Sequence, residues 1–409
     1  MNAALPSPGN THDVVVVGAG PAGLAVAAEL IRAGIDPVVL DAGPAAGHSW
    51  AAHYDRLRLN TVSWTSHLPG RRFPRQYGMY PSRDQVVAYL QDYAASIQLQ
   101  VSWNTAVHRI DPAPAPVPGS TAPRWIVRTS DSVLSARAVV VATGSCARPR
   151  IPDWPGIEDF PGEVLHSSCY REPSRWRGRE VLVIGAGNSA GEIAADLIDG
   201  GAARVRVAVR TPPQLIPRRL LTIPTVYLAI LTRRLPAVVG DTAVAVLRRL
   251  TIGDLSPYGV PTTRQPLSRQ YAERGVVPLS HPAFVPLVRT GRIEVVPAVE
   301  RFSVEGVHLA GGRVVAADAV IAATGFDNGL SALVGHLGGL NDRGRPRAAG
   351  GAPLPGADGV FVTGFTDPLS GNLREIRLDA RRIARAIHRL LGSDAGRSRQ
   401  EPSLTQGAT

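Results

Sequence analysis

Lysine is absent from this chain. All 44 basic residues among its 409 are arginine. That excludes a lysine Schiff base and the lysine of a Walker phosphate loop. Arginine outnumbers the 33 acidic residues, giving a formal charge of 44 − 33 = +11. The arginines are dispersed, aromatics make up only 5%, and no groove-reading motif occurs. Nucleic-acid binding is therefore not expected, and phosphorylated cofactors and anionic substrates are the expected counter-charges. Cysteine appears twice, as Cys146 and Cys169, 23 positions apart. There is no C-x-x-C pair and no zinc spacing, so neither a redox dithiol nor a metal site is expected, and a reducing cytoplasm is the expected setting. Long apolar runs are also lacking. The longest, Leu220 to Leu231, is about half a membrane span and is flanked by arginines, which predicts a buried helix and no transmembrane segment; a surface contact with lipid stays open. No basic segment followed by an apolar core opens the chain, so no secretory signal is expected.

Glycine (42) and proline (35) are plentiful and spread over turns. Two glycine clusters carry a pattern. Asp13 to Val17 reads as a buried parallel strand and leads into Gly18-Ala19-Gly20-Pro21-Ala22-Gly23. In such a fingerprint the first glycine makes a tight turn and the second lets backbone approach a pyrophosphate. The third lets helix pack on strand. A helix follows, with Leu24, Ala27, Ala28 and Ile31 inward, and stops at Gly34; its N-terminus offers free N–H groups and positive dipole to phosphates. A strand over Val38 to Leu40 then ends at Asp41. From Gly20 to Asp41 is 21 positions, the spacing at which a carboxylate meets ribose hydroxyls.

The pattern recurs. A strand over Val181 to Ile184 leads into Gly185-Ala186-Gly187-Asn188-Ser189-Ala190, and a helix to Asp199 stops at Gly200-Gly201. Ala190 takes the third glycine position, where a small side chain suffices. The next strand, Val205 to Val209, ends at Arg210, 23 positions beyond Gly187. A carboxylate there would repel a 2′-phosphate, whereas a guanidinium binds it with paired charge-assisted bonds. NADPH is thus expected over NADH, with Thr211 and Arg218 as supporting residues. Ala-Thr-Gly ends a strand at Ala142-Thr143-Gly144 and again at Ala323-Thr324-Gly325.

Between the fingerprints lies Phe160-x-Gly162-x-x-x-His166-x-x-x-Tyr170. With this connector the chain resembles the class B flavin-dependent monooxygenases of the flavin-containing monooxygenase superfamily. Tyr54-Asp55-Arg56-Leu57 with Tyr80-Pro81-Ser82, and Gly253-Asp254 with Tyr258-Gly259, resemble the YUCCA-type branch and its bacterial relatives. Tyr170-Arg171 departs from the tryptophan usual in Baeyer–Villiger relatives. That points to the heteroatom- or YUCCA-type branch; Asp41, where glutamate is commoner, and Ala190, where glycine is common, are the two departures from the family. The resemblance spans Asp13 to Leu391.

It implies an α/β fold of two Rossmann-like dinucleotide-binding domains, the NADPH domain inserted in the FAD domain. The expected bounds are 1–155 and 328–392 for FAD, 156–327 for NADPH with a helical insertion at about 220–260, and a disordered polar tail at 393–409. The insertion could serve as a substrate lid or as a homo-oligomer contact, and periodicity does not separate these uses. The implied activity is an FAD- and NADPH-dependent oxygenation through a C4a-(hydro)peroxyflavin. The substrates are dioxygen and a small organic molecule, by heteroatom oxygenation or by decarboxylation of an aryl pyruvate-like acid. Baeyer–Villiger oxygenation of ketones and a non-oxygenating NADPH:flavin oxidoreductase are the alternatives.

Asn60 is expected at the reactive ring edge, and His166 is expected to transmit or orient coupling between the units. The cofactor set comprises Gly18, Gly20, Pro21, Ala22, Gly23, Asp41, Ser49, Trp50, Asn60, Val107, Thr143 and Gly144. To these are added Tyr170, Gly185, Gly187, Asn188, Ser189, Arg210, Thr211, Gly325, Gly364 and Asn372. A last helix, Leu373 to Leu391, is expected to aim its N-terminus at the flavin, where the positive end favours an anionic reduced ring.

Overall fold

The computed structural model describes residues 11–114, 123–220, 222–232, 236–263, 265–274, 278–366 and 368–398. A polar tail is expected over Met1 to His12 and a proline-rich surface loop over Asp111 to Pro118; residues 1–10 and 115–118 of these lie outside the described residues, as do Asp367 and the segment from residue 399, while Thr11 and His12 open the first strand.

Two sheets organise the chain, the first mixed around a parallel centre and the second wholly parallel. Valine-rich strand Thr11–Val17 sits centrally in the first, buried on both faces from Val14 onward. It pairs with Val38–Leu40 on one side and Val133–Val141 on the other, and Ala357–Val362 pairs in parallel beyond the latter. The second sheet runs Ile293–Val296, Arg204–Ala208, Glu180–Ile184, Ala319–Ala322, Glu163–His166, all parallel. The chain leaves the first sheet after Val141, builds the whole second sheet, and returns to the first at Pro353–Leu354, which pairs antiparallel with Ala357–Val362. A sheet of parallel strands places its ligand beyond the strands' carboxyl ends, which is where each fingerprint turn sits on its own sheet.

Helices cover the sheets. The first fingerprint helix, Pro21–Arg32, packs on the C-terminal helix, Asn372–Ser398, through Leu24, Ala28, Ile376, Ala380 and Ile383. Ile31, expected inward, is 38% exposed, and Leu30 is buried in its place. The inward arc is centred one residue earlier because sheet and C-terminal helix both press on that side. The C-terminal helix also passes the predicted stop at Leu391 and runs through Gly392 to Ser398. Gly392 is not among the glycines with positive φ, so it does not form the left-handed cap that ends helices. This corrects the expectation of a disordered tail for residues 393–398; its remainder, 399–409, lies outside the described residues.

The apolar pattern predicts antiparallel strands over Val101 to Ile110 and Trp125 to Arg128, but the first of these is two strands. Val101–Ser102 pairs in parallel with Val38–Leu40, while Val107–Pro112 pairs antiparallel with Trp125–Thr129. The break is Asn104, at φ 55° in the left-handed region, its N–H donating to Gly43. Ser82 caps Arg83–Ser96 with a full capping box completed by Gln85. Within 220–260 the structure forms helices Val226–Thr232 and Ala237–Thr251. Among the described residues no helix is long and apolar enough to cross a membrane.

Candidate active site

The two fingerprint turns are built alike. Gly18 and Gly185 have positive φ, 105° and 154°. A Cβ on either would lie 2.5 Å from a carbonyl oxygen, that of Ala142 or of Ala323. Each first glycine is therefore locked beneath an Ala-Thr-Gly strand end, which explains why that tripeptide occurs twice. Gly20 and Gly187 are different. A Cβ on either would meet no protein atom within 4 Å. Their bareness serves something outside the fold, and a phosphate against backbone N–H groups fits. Gly23 is held by packing, since a Cβ there would fall 1.7 Å from the Gly18 oxygen. Ala190 is fully buried at the matching place, where the turn is opened by the larger φ of Gly185.

A cleft of about 1170 Å³ opens beside the first turn. That exceeds the roughly 300–1,000 Å³ of ordinary small-molecule pockets, so a dinucleotide and a smaller substrate have room together. Gly18, Gly20, Pro21, Ala22, Asp41, Ser49, Trp50, Asn60, Val107, Thr143, Gly144, Gly364 and Asn372 all line it. From the second fingerprint only Asn188 and Ser189 do. Asp41 accepts the Ala19 N–H at 2.5 Å on one oxygen and the Gly43 N–H at 2.7 Å on the other. Each oxygen keeps a further lone pair for a hydroxyl. The Oγ1 of Thr143 and Oδ1 of Asn60 are buried without hydrogen-bond partners. Buried polar atoms are normally satisfied, so two such atoms in one cleft wall point to a ligand. Bare glycine, ribose-spaced carboxylate and waiting acceptors together fit a dinucleotide cofactor.

Gly23, Gly185, Gly187, Gly325, His166, Tyr170, Arg210 and Thr211 do not line this cleft. Arg210 is exposed, and among the described residues no carboxylate pairs with it. His166 is buried at the end of Glu163–His166. Its Nδ1 accepts from the Ser168 N–H at 3.1 Å, which leaves Nε2–H to donate to the Gly325 carbonyl at 3.0 Å. Burial lowers its pKa. A neutral imidazole with both nitrogens occupied, edge-on to Phe326 at 4.8 Å, ties the connector to the second Ala-Thr-Gly turn and does not serve as a proton donor. Tyr170 is likewise structural: its hydroxyl donates to Asp196 Oδ2 at 2.8 Å beneath the second fingerprint helix, Asn188–Asp199. Arg218, expected to support Arg210, instead stacks 3.9 Å over the Tyr80 ring, with Nη2 donating to the Leu59 carbonyl.

The sequence singles out Tyr80 only by its resemblance motif and without a role, and it does not single out Glu192 at all. Glu192 is buried on the second fingerprint helix and accepts the Tyr54 hydroxyl at 2.6 Å. Burial pushes its carboxyl upward. The available signal was a pair of acids one turn apart, Glu192 and Asp196, among the buried Ala190, Ile193, Ala194 and Leu197. The roof of the cleft comes from the insertion, through Val226, Leu228, Ala229, Val244 and Leu247.

The pyridine nucleotide-disulphide oxidoreductase family matches residues 15–220. A probable indole-3-pyruvate monooxygenase, YUCCA3 of Arabidopsis thaliana, is 32% identical over 366 residues, 86% of this chain and 82% of that protein. The indole-3-pyruvate monooxygenase YUCCA1 of Oryza sativa subsp. japonica is 32% identical, with 91% of each chain covered. The chain belongs to the class B flavin-dependent monooxygenases. Solved structures agree with this. A flavin-containing monooxygenase from Stenotrophomonas maltophilia superposes with a TM-score of 0.66 at 27% identity, covering 91% of this chain and 98% of that one. Open cyclohexanone monooxygenase has a TM-score of 0.67 at 20% identity, covering 93% and 88%, which speaks for the fold alone. This monooxygenase is thus a flavoprotein enzyme dependent on NADPH. Cys146 and Cys169 are both exposed, and neither is in a disulfide.

Proposed function

We propose that this monooxygenase binds FAD at the first fingerprint and NADPH at the second, and oxidatively decarboxylates an aryl 2-oxo acid. The observation that carries the cofactor assignment is the pair of opposite charges at equivalent strand tips, Asp41 and Arg210. Support for the substrate comes from relatives named as indole-3-pyruvate monooxygenases at 30–33% identity and from the insertion's apolar roof. The flavin supplies the oxygen-activating chemistry when bound. The chain positions and protects it. The N-terminus of Pro21–Arg32 and bare Gly20 hold phosphate, and Asp41 holds ribose. Asn60 offers its free Oδ1 at the cleft wall, and the insertion excludes water. In the net reaction the acid, dioxygen, NADPH and a proton give the acid shortened by one carbon, carbon dioxide, NADP⁺ and water. One oxygen atom ends in the new carboxylate and the other in water.

The test is NADPH and oxygen consumption by the purified yellow protein with phenylpyruvate or indole-3-pyruvate, with product identification. The expected result is arylacetate and carbon dioxide in equal amounts, and an NADPH rate exceeding the NADH rate. Ester or lactone products from ketones, with no arylacetate, would overturn the substrate assignment.

A further inference from the structure

The cleft wall holds a cation with no counter-ion. Arg218 lines the cleft and lies over Tyr80. One of its nitrogens, Nη2, is used by Leu59, and its Nε is buried without an acceptor. Among the described residues no carboxylate pairs with it at ion-pair distance. Glu192 is the favourable charge closest in effect, but Tyr54 already bonds it, and burial draws it toward its neutral form. Arg58 adds repulsion. Burying a guanidinium is costly unless something anionic completes it. The Tyr80 hydroxyl beside it is also buried and without a partner. Facing this polar corner are the apolar side chains Val226, Leu228, Val244 and Leu247.

We propose that Arg218, backed by Tyr80, is an anion subsite that receives the carboxylate of the substrate, and that it selects acids over neutral compounds of the same shape. The inference rests on the substrate reading above and adds to it the residue that enforces the class. A planar guanidinium presents a fork that matches a carboxylate bidentately, and the ring beneath fixes its plane. An arylalkyl acid would place its charge on the fork and its ring under the insertion. A neutral ketone or thioether would leave the guanidinium buried and unpaired, which is a penalty against it.

The experiment is calorimetric titration of the flavin-loaded enzyme with phenylpyruvate and with its neutral counterpart, benzyl methyl ketone. It uses wild type, Arg218→Met, Arg218→Lys and Tyr80→Phe, with flavin content and circular dichroism as folding controls. Wild type is expected to bind the acid at least tenfold tighter than the ketone. Arg218→Met should weaken the acid ten- to hundredfold and leave the ketone and the KM for NADPH within about twofold. Arg218→Lys should recover only part of the acid's affinity. Equal loss for acid and ketone, or a parallel loss of NADPH affinity, would overturn the assignment and give Arg218 to packing or to the nicotinamide coenzyme. If Arg218→Met does not fold, wild type alone decides, because equal affinity for acid and ketone contradicts the subsite. Acid binding without arylacetate formation would sink the proposed reaction and leave the subsite standing.

Discussion

Arg210 and Arg218 are eight residues apart and face different surroundings. Arg210 is exposed at a strand tip without a carboxylate, and Arg218 is half-buried in the cleft. The first was legible in the sequence because a fingerprint fixes its register: turn, helix, strand, tip. The second was assigned to the same phosphate only because it is near in sequence. Its true neighbours, Leu59 and Tyr80, are more than a hundred positions away, and no local pattern encodes that. The same limit hid Glu192, whose partner Tyr54 lies 138 positions back. For Arg210 the expected outcome of Arg210→Ala is a ten- to hundredfold fall in kcat/KM for NADPH, corresponding to the loss of hydrogen bonds to a charged group worth about 1.5–3 kcal/mol. The value for NADH should move less than threefold. Steady-state kinetics with both coenzymes checks it, and equal losses would remove Arg210 from the 2′-phosphate.

Elements were read well where their pattern is local. Both fingerprint helices, the capped helix after Ser82 and the buried valine strands carry their signals in adjacent residues. Where the structure departs, a tertiary contact decided the outcome. Ile31 turned outward because sheet and C-terminal helix crowd the neighbouring face. The run Val101 to Ile110 split because Asn104 could take a left-handed turn onto Gly43. The glycine turns give a paired prediction. Gly20→Val should fold, with denaturation in the absence of flavin shifted by less than about 1 kcal/mol, because no protein atom opposes the new side chain. It should purify with little flavin. Gly18→Val should not accumulate as folded protein, because it combines a φ of 105° with a 2.5 Å approach to the Ala142 oxygen. Absorbance ratios and urea titrations separate the two; full flavin content in Gly20→Val would detach that turn from cofactor binding.

At the scale of the molecule, one short segment straps the two sheets together. Tyr54 bonds Glu192, and Arg56 pairs with Asp196 at 3.1 Å and Asp199 at 2.6 Å, all on the second fingerprint helix. Tyr170 in the connector meets the same Asp196. The strap is partly buried, so its Asp196 end depends on full satisfaction. Tyr170→Phe leaves a buried carboxylate oxygen bare and should cost about 1–3 kcal/mol in urea denaturation. Protons report on the same interior. Burial lowers the pKa of His53, His67 and His166, and burial with Arg218 and Arg56 brings His281 down to about 4. A histidine whose folded pKa is depressed takes up its proton first in the unfolded chain. Its stabilisation is therefore complete above about pH 6.5 and is lost as pH falls toward about 4. The raised carboxyls of Glu192 and Asp379 act in the opposite direction and blunt the slope. A single-site variant isolates one contribution. His281→Gln should flatten the pH dependence of unfolding free energy between pH 6.5 and about 4 by at most about 3 kcal/mol. Urea titrations at stepped pH measure it. An unchanged slope would mean that His281 titrates as an ordinary surface imidazole, and that the interior beside Arg218 is wet.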